Sequence, residues 1–363
     1  MKEITITAND AGRRLDRFLR KYLKKASLGE IYKFIRKDVK VDGKRRNESY
    51  ILNEGEVLSL YLSDELLEKL SAGRIAGAEE SSVSGLSRHI EPDEKAIRKA
   101  RRNFELIYED GQILIAGKPF GLLTHGDSQE KKNHLANQVK DYLIATGSYN
   151  PRTEKVFSPS PVNRLDRNTS GIVLFGKTAE SLRELTRMIR EDEIRKYYLT
   201  IVCGELSKEL HLSGTLMKDE RRNKVTVNAD ISSASDADGG KHIETIVRPL
   251  EGLQFGADSE ATLCEVELVT GRSHQIRAHL ASAGHPLICD SKYALKKYSD
   301  LNEFVRKATG LSTQFLHACR IEFSDKASDS ACLGYLAGRS FPSKLPRRLQ
   351  DVYFALGGTS TDI

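Results

Sequence analysis

The segment Pro161-Val162-Asn163-Arg164-Leu165-Asp166-Arg167-Asn168-Thr169-Ser170-Gly171 places one carboxylate between two guanidinium side chains. The apolar run Ile172-Val173-Leu174-Phe175 follows and reads as a strand. Asp166 therefore sits on a loop at a strand entrance, a common location for catalytic groups. Chemistry alone leaves it open to a catalytic role, a structural ion pair or a turn. Two more residue types could join it: Tyr198 on a strand, which could equally be a core tyrosine, and Arg277, which could pin a helix to a sheet. His274, His279 and His285 raise the question of a metal, but no HExxH or similar ligand spacing is present, so none is expected. Gly284-His285-Pro286 reads better as a helix stop.

The elements that must position these residues begin at Asn103. Residue 107 and the stretches 113–115, 171–175, 197–202 and 261–269 read as strands, with helices over 179–191 and 273–283. Leu182, Leu185 and Ile189 form the apolar stripe of the first helix. The pattern predicts an α+β fold: a catalytic domain over 103–363 built on a mixed, mainly antiparallel sheet. A small N-terminal α/β module over 1–62 precedes it, joined by a connector over 63–102 in which 71–87 is rich in Ser, Gly and Ala. A short helix is expected after Pro92.

In the module, Leu15, Phe18, Leu19 and Tyr22 make one helical stripe. Ser27 and Glu30 fit a capping box before a second helix, whose apolar face is Ile31, Phe34 and Ile35. Val39 and Val41 lead into Asp42-Gly43, a hairpin signal, and 57–62 reads as a closing strand. Basic residues share these helices: Arg13, Arg17, Arg20 and Lys24 on one face of the first, and Lys33, Arg36, Lys37 and Lys40 on the second.

The 363 residues carry a net charge of +6, and residues 1–62 alone hold fifteen Lys and Arg against nine Asp and Glu. All of the excess thus belongs to the module, which points to a polyanionic partner; the two cationic stripes read as a surface for RNA phosphates bound through counterion release, with plain solvated helix surface as the alternative. The five cysteines, Cys203, Cys264, Cys289, Cys319 and Cys332, form no CxxC pair and read as buried thiols of a reduced cytoplasm. No signal peptide and no run of about 18 apolar residues appears, so a cytoplasmic chain without a membrane span is expected. Nothing suggests an obligate dimer, and a monomer is the default. No GxGxxG or GxxxxGK[ST] motif is present, and no cofactor is expected.

Taken in order, the motifs resemble the RluA-type pseudouridine synthases. Arg164, Leu165, Asp166, Thr169, Ser170 and Gly171 match that family's His-Arg-Leu-Asp-x-x-Thr-Ser-Gly, with Asn163 in place of the His and Asn168 where Asp is common. Tyr108-Glu109-Asp110, Lys118-Pro119-Phe120-Gly121-Leu122 and His125-Gly126 resemble its opening strands. Lys196-Tyr197-Tyr198 resembles the Lys-x-Tyr motif, and Thr270-Gly271-Arg272-Ser273-His274-Gln275-Ile276-Arg277 the third motif, continuing through His279, Gly284-His285-Pro286 and Asp290. Leu316-His317-Ala318 matches a late core motif, so the likeness spans residues 107–346. The N-terminal module resembles the S-four RNA-binding domain through Arg14-Leu15-Asp16-Arg17-Phe18-Leu19, Ile31-Tyr32-Lys33-Phe34-Ile35-Arg36 and Val39-Lys40-Val41-Asp42-Gly43-Lys44. That pairing of domains is similar to the RluC and RluD types.

The resemblance implies isomerisation of a uridine in RNA, with large-subunit ribosomal RNA as the expected substrate and transfer RNA as a further option. No atom enters or leaves the RNA overall, so neither an energy donor nor a redox partner is required. Asp166 would be the nucleophile, capturing an electron-poor sugar or assisting elimination to a glycal. Arg277 would pair with it, and Tyr198 would pack against the extruded uracil with Ile276 as apolar wall. Arg164 would fill the vacated stack, and Lys196, Arg272 and His274 would contact the substrate. The competing classes are an RNA-binding assembly factor without activity and an ordinary glycosidase. The first is opposed by retention of Asp166, Tyr198 and Arg277. The second lacks a second carboxylate placed by any motif and leaves the basic module unexplained.

Overall fold

The computed structural model describes residues 1–71, 103–219, 224–228, 240–255 and 259–360. The connector from residue 72, including the helix expected after Pro92, lies outside them. The described residues pack as two units.

In the first, β1 (Lys2–Thr5), which the sequence patterns did not reveal, heads an antiparallel sheet of order β1-β3-β2, with β2 at Val39–Val41 and β3 at Val57–Leu60. Only Ile4 of β1 is buried, so no alternation of apolar residues marks it. Helices α1 (Leu15–Tyr22) and α2 (Leu28–Lys37) cover the sheet through Leu15, Phe18, Leu19, Ile31, Phe34 and Ile35, and the Ser27–Glu30 capping box forms as read. The start of the expected connector is instead helical. Ser63 caps α3 (Asp64–Leu70), and Leu67 and Leu70 join the same core as α1 and α2. Residues 140–160 and 177–182 also belong to this unit. The buried Asp10 carboxylate accepts from the backbone N–H of Lys155, Val156 and Phe157 at 3.1, 3.3 and 2.8 Å. Glu154 accepts from Thr7 and Asn9, and Asn9 accepts from Ala179 N–H.

The second unit is built on an 11-stranded sheet, with β4 (Glu105–Glu109), β5 (Ile113–Lys118), β7 (Ser170–Gly176), β8 (Ile194–Cys203), β9 (Leu210–Asp219), β10 (Lys224–Asn228), β11 (Lys241–Phe255), β12 (Ser259–Leu268) and β13 (Leu316–Phe323) in the order β10-β9-β11-β12-β8-β13-β7-β5-β4. The two-residue β6 (Ser160–Pro161) pairs with β7, and β14 (Ser340–Pro342) with β13. Neighbours along that order are antiparallel except β13 and β7, which run parallel with His317 facing Ser170 and Ala318 facing Gly171. β5, β7 and β8 are almost wholly buried, which is why they read as continuous apolar runs. Among the described residues no helix is long and apolar enough to cross a membrane.

The parallel contact depends on Gly171. Its φ is +110°, and a Cβ there would lie 2.2 Å from the carbonyl oxygen of Ala318. Beside it the buried His317 places Nδ1 2.9 Å from Ser170 Oγ and Nε2 3.1 Å from Ser343 O. A carbonyl only accepts, so Nε2 carries the proton and Nδ1 accepts from the serine. Burial pushes the His317 pKa down to about 4. Between about 6.5 and 4 the unfolded chain binds a proton that the folded one does not. Stability from this group is therefore present above pH 6.5 and lost as pH falls through 4, by about 3 kcal/mol. Urea unfolding at pH 7 and pH 4.5 is expected to show a loss of this order that is largely absent in His317→Gln. Equal losses in both proteins would contradict it.

Candidate active site

The loop carrying Asp166 is pinned at alternate residues. The Asn163 side chain donates from Nδ2 to Ile172 O at 3.1 Å and accepts from Leu174 N–H at 2.8 Å. It thereby pairs with β7 as a peptide group would, which an amide with one donor end and one acceptor end can do. Leu165 is buried, and its N–H donates to Thr124 Oγ1 at 3.0 Å. The Arg167 carbonyl accepts from Gly121 N–H and from Lys118 Nζ, 3.0 and 3.1 Å away. Thr169 is buried, and its N–H closes a turn on the Asp166 carbonyl. With 163, 165, 167 and 169 held, the Arg164 and Asp166 side chains face outward, Arg164 exposed and Asp166 partly so.

Lys118 is the hidden part of this mount. Its ammonium, 1% exposed, also donates to Leu122 O at 2.6 Å and Pro119 O at 3.1 Å. Burial pushes its pKa down to about 7, helped by Arg167 and opposed by Asp166. Three carbonyl acceptors match the three N–H donors of the charged amine, whereas the neutral amine has two, so the geometry is that of the ammonium.

Asp166 opens into a cavity of about 320 Å³ lined by Arg164, Lys196, Tyr198, Arg272, His274, Ile276 and Arg277 among others. The catalytic-domain residues expected to act or to contact substrate, Asp166, Tyr198, Arg277, Arg164, Ile276, Lys196, Arg272 and His274, thus line one cavity, whereas His279 and His285 do not. Arg277 Nη1 donates to Asp166 Oδ2 at 3.2 Å, and His274 Nε2 stands 3.7 Å from the same oxygen. Tyr198, on β8, is 5% exposed; burial first, and the Asp166 charge second, push its pKa up, so it is present as the neutral phenol. Lys196 is buried and pushed down by that burial, Ile276 is buried, and Arg272 is exposed at the rim.

The helix over Gln275–Ser282 carries Arg277 and is buried over its first six residues. Gln275 fixes its entry: Oε1 accepts from Thr270 Oγ1 and Arg272 N–H, and Nε2 donates to Glu244 O and Thr245 Oγ1. Asp290, a motif residue given no role from sequence, clamps Arg277 through Nε at 2.6 Å and Nη2 at 2.8 Å. Burial would lower the Arg277 pKa, but the bonds to Asp290 and Asp166 outweigh it and raise it, so the guanidinium stays charged. Lys118 likewise had no role assigned, and Tyr293, which touches both Arg277 and His274, was missed entirely. No local pattern marks a tyrosine three residues after an aspartate.

The module's cations lie elsewhere, in the first unit. Arg17, Arg20, Lys24, Lys33, Arg36 and Lys37 are exposed, while Arg13 and Lys40 are half-buried, Lys40 over the Tyr61 ring.

A carboxylate fixed by a charged guanidinium, beside a neutral phenol and an apolar wall, suits attack on a sugar whose base occupies the cavity. Residues 112–282 match the family described as RNA pseudouridylate synthase. The chain is also 32% identical over 331 residues to ribosomal large subunit pseudouridine synthase C of Escherichia coli strain K12, covering 89% of each. It therefore belongs to the RNA pseudouridylate synthase family and is an RNA pseudouridine synthase.

Within that family it is similar to the C-type large-subunit enzymes. That of Vibrio parahaemolyticus is 30% identical over 328 residues, 90% of this chain and 89% of the other. The solved structure of human RNA pseudouridylate synthase domain containing 4 shares the fold, with a TM-score of 0.50 at 18% identity, over 72% of this chain and 95% of that one.

Proposed function

We propose that this cytoplasmic enzyme converts uridine to pseudouridine in large-subunit ribosomal RNA, with Asp166 as nucleophile. The observation that carries the reading is the Arg277–Asp166 pair at 3.2 Å, opening into one cavity with Tyr198. The relatives' printed substrate supports the choice of RNA.

The target nucleoside is extruded from its stack, and Arg164, exposed beside Asp166, fills the gap with its planar cation. Uracil enters against Tyr198 and Ile276. Asp166 attacks C1′ as the N1–C1′ bond breaks, and uracil leaves with the bond's electron pair. The freed base turns, its C5 bonds to C1′ as the carboxylate departs, and the proton on C5 is lost while N1 gains one. Tyr198, a neutral phenol, passes protons by giving its own as it receives another. Lys196, Arg272 and His274 supply positive or N–H groups toward the phosphates and the base. The test is tritium release from C5-labelled uridine in a ribosomal RNA transcript by wild type and Asp166→Asn; release by the variant at the wild-type rate would remove Asp166 from this role.

RNA is held in addition by the N-terminal unit, which we read as an S-four module over 1–62. Because Leu67 and Leu70 complete its core, neutralising charge is a cleaner probe than truncation. Arg17→Gln/Arg20→Gln/Lys24→Gln is expected to weaken RNA binding and to lower the slope of log K against log salt by roughly 2. A filter-binding salt titration with an unchanged slope would show these cations to be solvated surface only.

A further inference from the structure

The Asp290 carboxylate that clamps Arg277 follows a sharp change of chain direction. The segment before it is tied to β8: Cys203 N–H donates to Pro286 O and Ile288 N–H to Ile201 O, each at 2.9 Å, and Leu287 bridges to Val202. Cys289 then adopts φ 59°, and Asp290 N–H closes back on Leu287 O at 3.2 Å. Asp290 leaves this turn with its carboxylate on Arg277 Nε and Nη2.

Left-handed backbone is costly for a residue with a Cβ. Of the four described non-glycine residues with positive φ, Asp42, Asp192 and His274 are of types that visit this region, and Cys289 is not. Such a conformation persists only where its surroundings impose it. The Cys289 side chain is buried in a cluster with Leu301, Val305 and Phe315. The peptide entering Cys289 is held at both ends. Its carbonyl, on Ile288, accepts from Phe315 N–H at 3.2 Å, and its N–H donates to Asn302 Oδ1 at 2.7 Å. Asn302 is 6% exposed, on the helix over Ser299–Thr309, and its own carbonyl lies 3.8 Å from the Cys289 sulfur. The shorter of the two peptide bonds thus comes from a side chain that touches neither Arg277 nor Asp166.

We propose that Asn302 is a positioning residue for the isomerisation: by fixing the Cys289 amide it holds the left-handed turn that aims Asp290 at Arg277, and so sets the guanidinium against Asp166. Only the last link rests on Asp166 being the nucleophile. Without the amide group, the Cys289 N–H is left to water from the adjoining cavity of about 300 Å³, which Cys289, Asp290 and Asn302 line. Water satisfies the N–H without fixing its direction. Glycine at 289 would adopt the same φ with no Cβ to oppose it, and would no longer need Asn302 to hold it there.

The test compares the full-length wild type with Asn302→Ala, Cys289→Gly and the double variant Cys289→Gly/Asn302→Ala. Tritium release from a C5-labelled ribosomal RNA transcript gives kcat and KM. Nitrogen-15 NMR follows exchange of the Arg277 Nε–H with water, the signal being assigned by its loss in Arg277→Met. Asn302→Ala is expected to lower kcat about 10-fold with KM within about 2-fold, and to speed exchange at Arg277 Nε–H by at least about 10-fold. Cys289→Gly and the double variant are expected to keep kcat within about 3-fold of wild type and to retain slow exchange. An unchanged kcat or unchanged exchange in Asn302→Ala overturns the proposal. So does a double variant as impaired as Asn302→Ala, or one that does not fold, since a side chain needed only for packing is not replaced by a glycine elsewhere. Should Asn302→Ala itself not fold, the double variant decides alone. Turnover by Asp166→Asn at the wild-type rate would sink the nucleophile and leave the exchange result at Arg277 readable.

Discussion

Asp166→Asn is expected to lower turnover by at least about 10⁴-fold while changing RNA affinity by no more than about 3-fold. The two effects separate because the carboxylate works only once a base is extruded, whereas binding is spread over phosphates and cations. The asparagine keeps the shape of the loop, since 163, 165, 167 and 169 hold it through groups other than the Asp166 side chain. It loses the charge that Arg277 faces. A matched loss of binding and turnover, measured on the same transcript, would mean that the residue holds RNA and does no chemistry.

Arg277→Met is the second large effect, and here stability and activity fall together. Removing the guanidinium strips Asp290, whose side chain is 0% exposed, of both charge-assisted bonds. A buried carboxylate left unpaired costs about 3–5 kcal/mol. The same change frees Asp166 Oδ2, so turnover is expected to drop by about 10³-fold in whatever fraction remains folded. The double variant Arg277→Met/Asp290→Leu removes the stranded charge as well. It is expected to recover most of the stability and none of the turnover. Urea unfolding and tritium release on the three proteins check this, and recovery of both together would show that Arg277 acts only through the fold.

The loop of Asp166 stood out because its signal is local, a carboxylate, two arginines and an apolar strand within fifteen residues, although that signal left the role of the carboxylate open. Tyr198 and Arg277 needed the ordered set of motifs, since a strand tyrosine and a helix arginine look alike in any α+β domain. The supports escaped for a physical reason. Among the described residues Lys118, 1% exposed, bonds only to carbonyls, Asp290 bonds to a side chain thirteen residues back, and Tyr293 meets an amide 68 residues away. Such contacts leave no periodic trace along the chain. Asn163 is the reverse case. It stands out as a departure from the motif, and its two bonds to β7 show what the amide does there. In the N-terminal unit α1 and α2 followed their apolar stripes, whereas α3 was read as connector and β1, with one buried residue in four, offered no pattern.

The carboxylate of Asp10 also has a bearing on synthesis. Its acceptor atoms are filled by amides up to 147 residues downstream. At roughly 10 residues per second, a ribosome delivers Phe157 about 15 s after Asp10. During that interval the nascent N-terminal segment carries a negative charge whose final partners do not yet exist. It completes itself only after the chain has run through the opening stretch of the second unit, up to residue 139, and returned to the first.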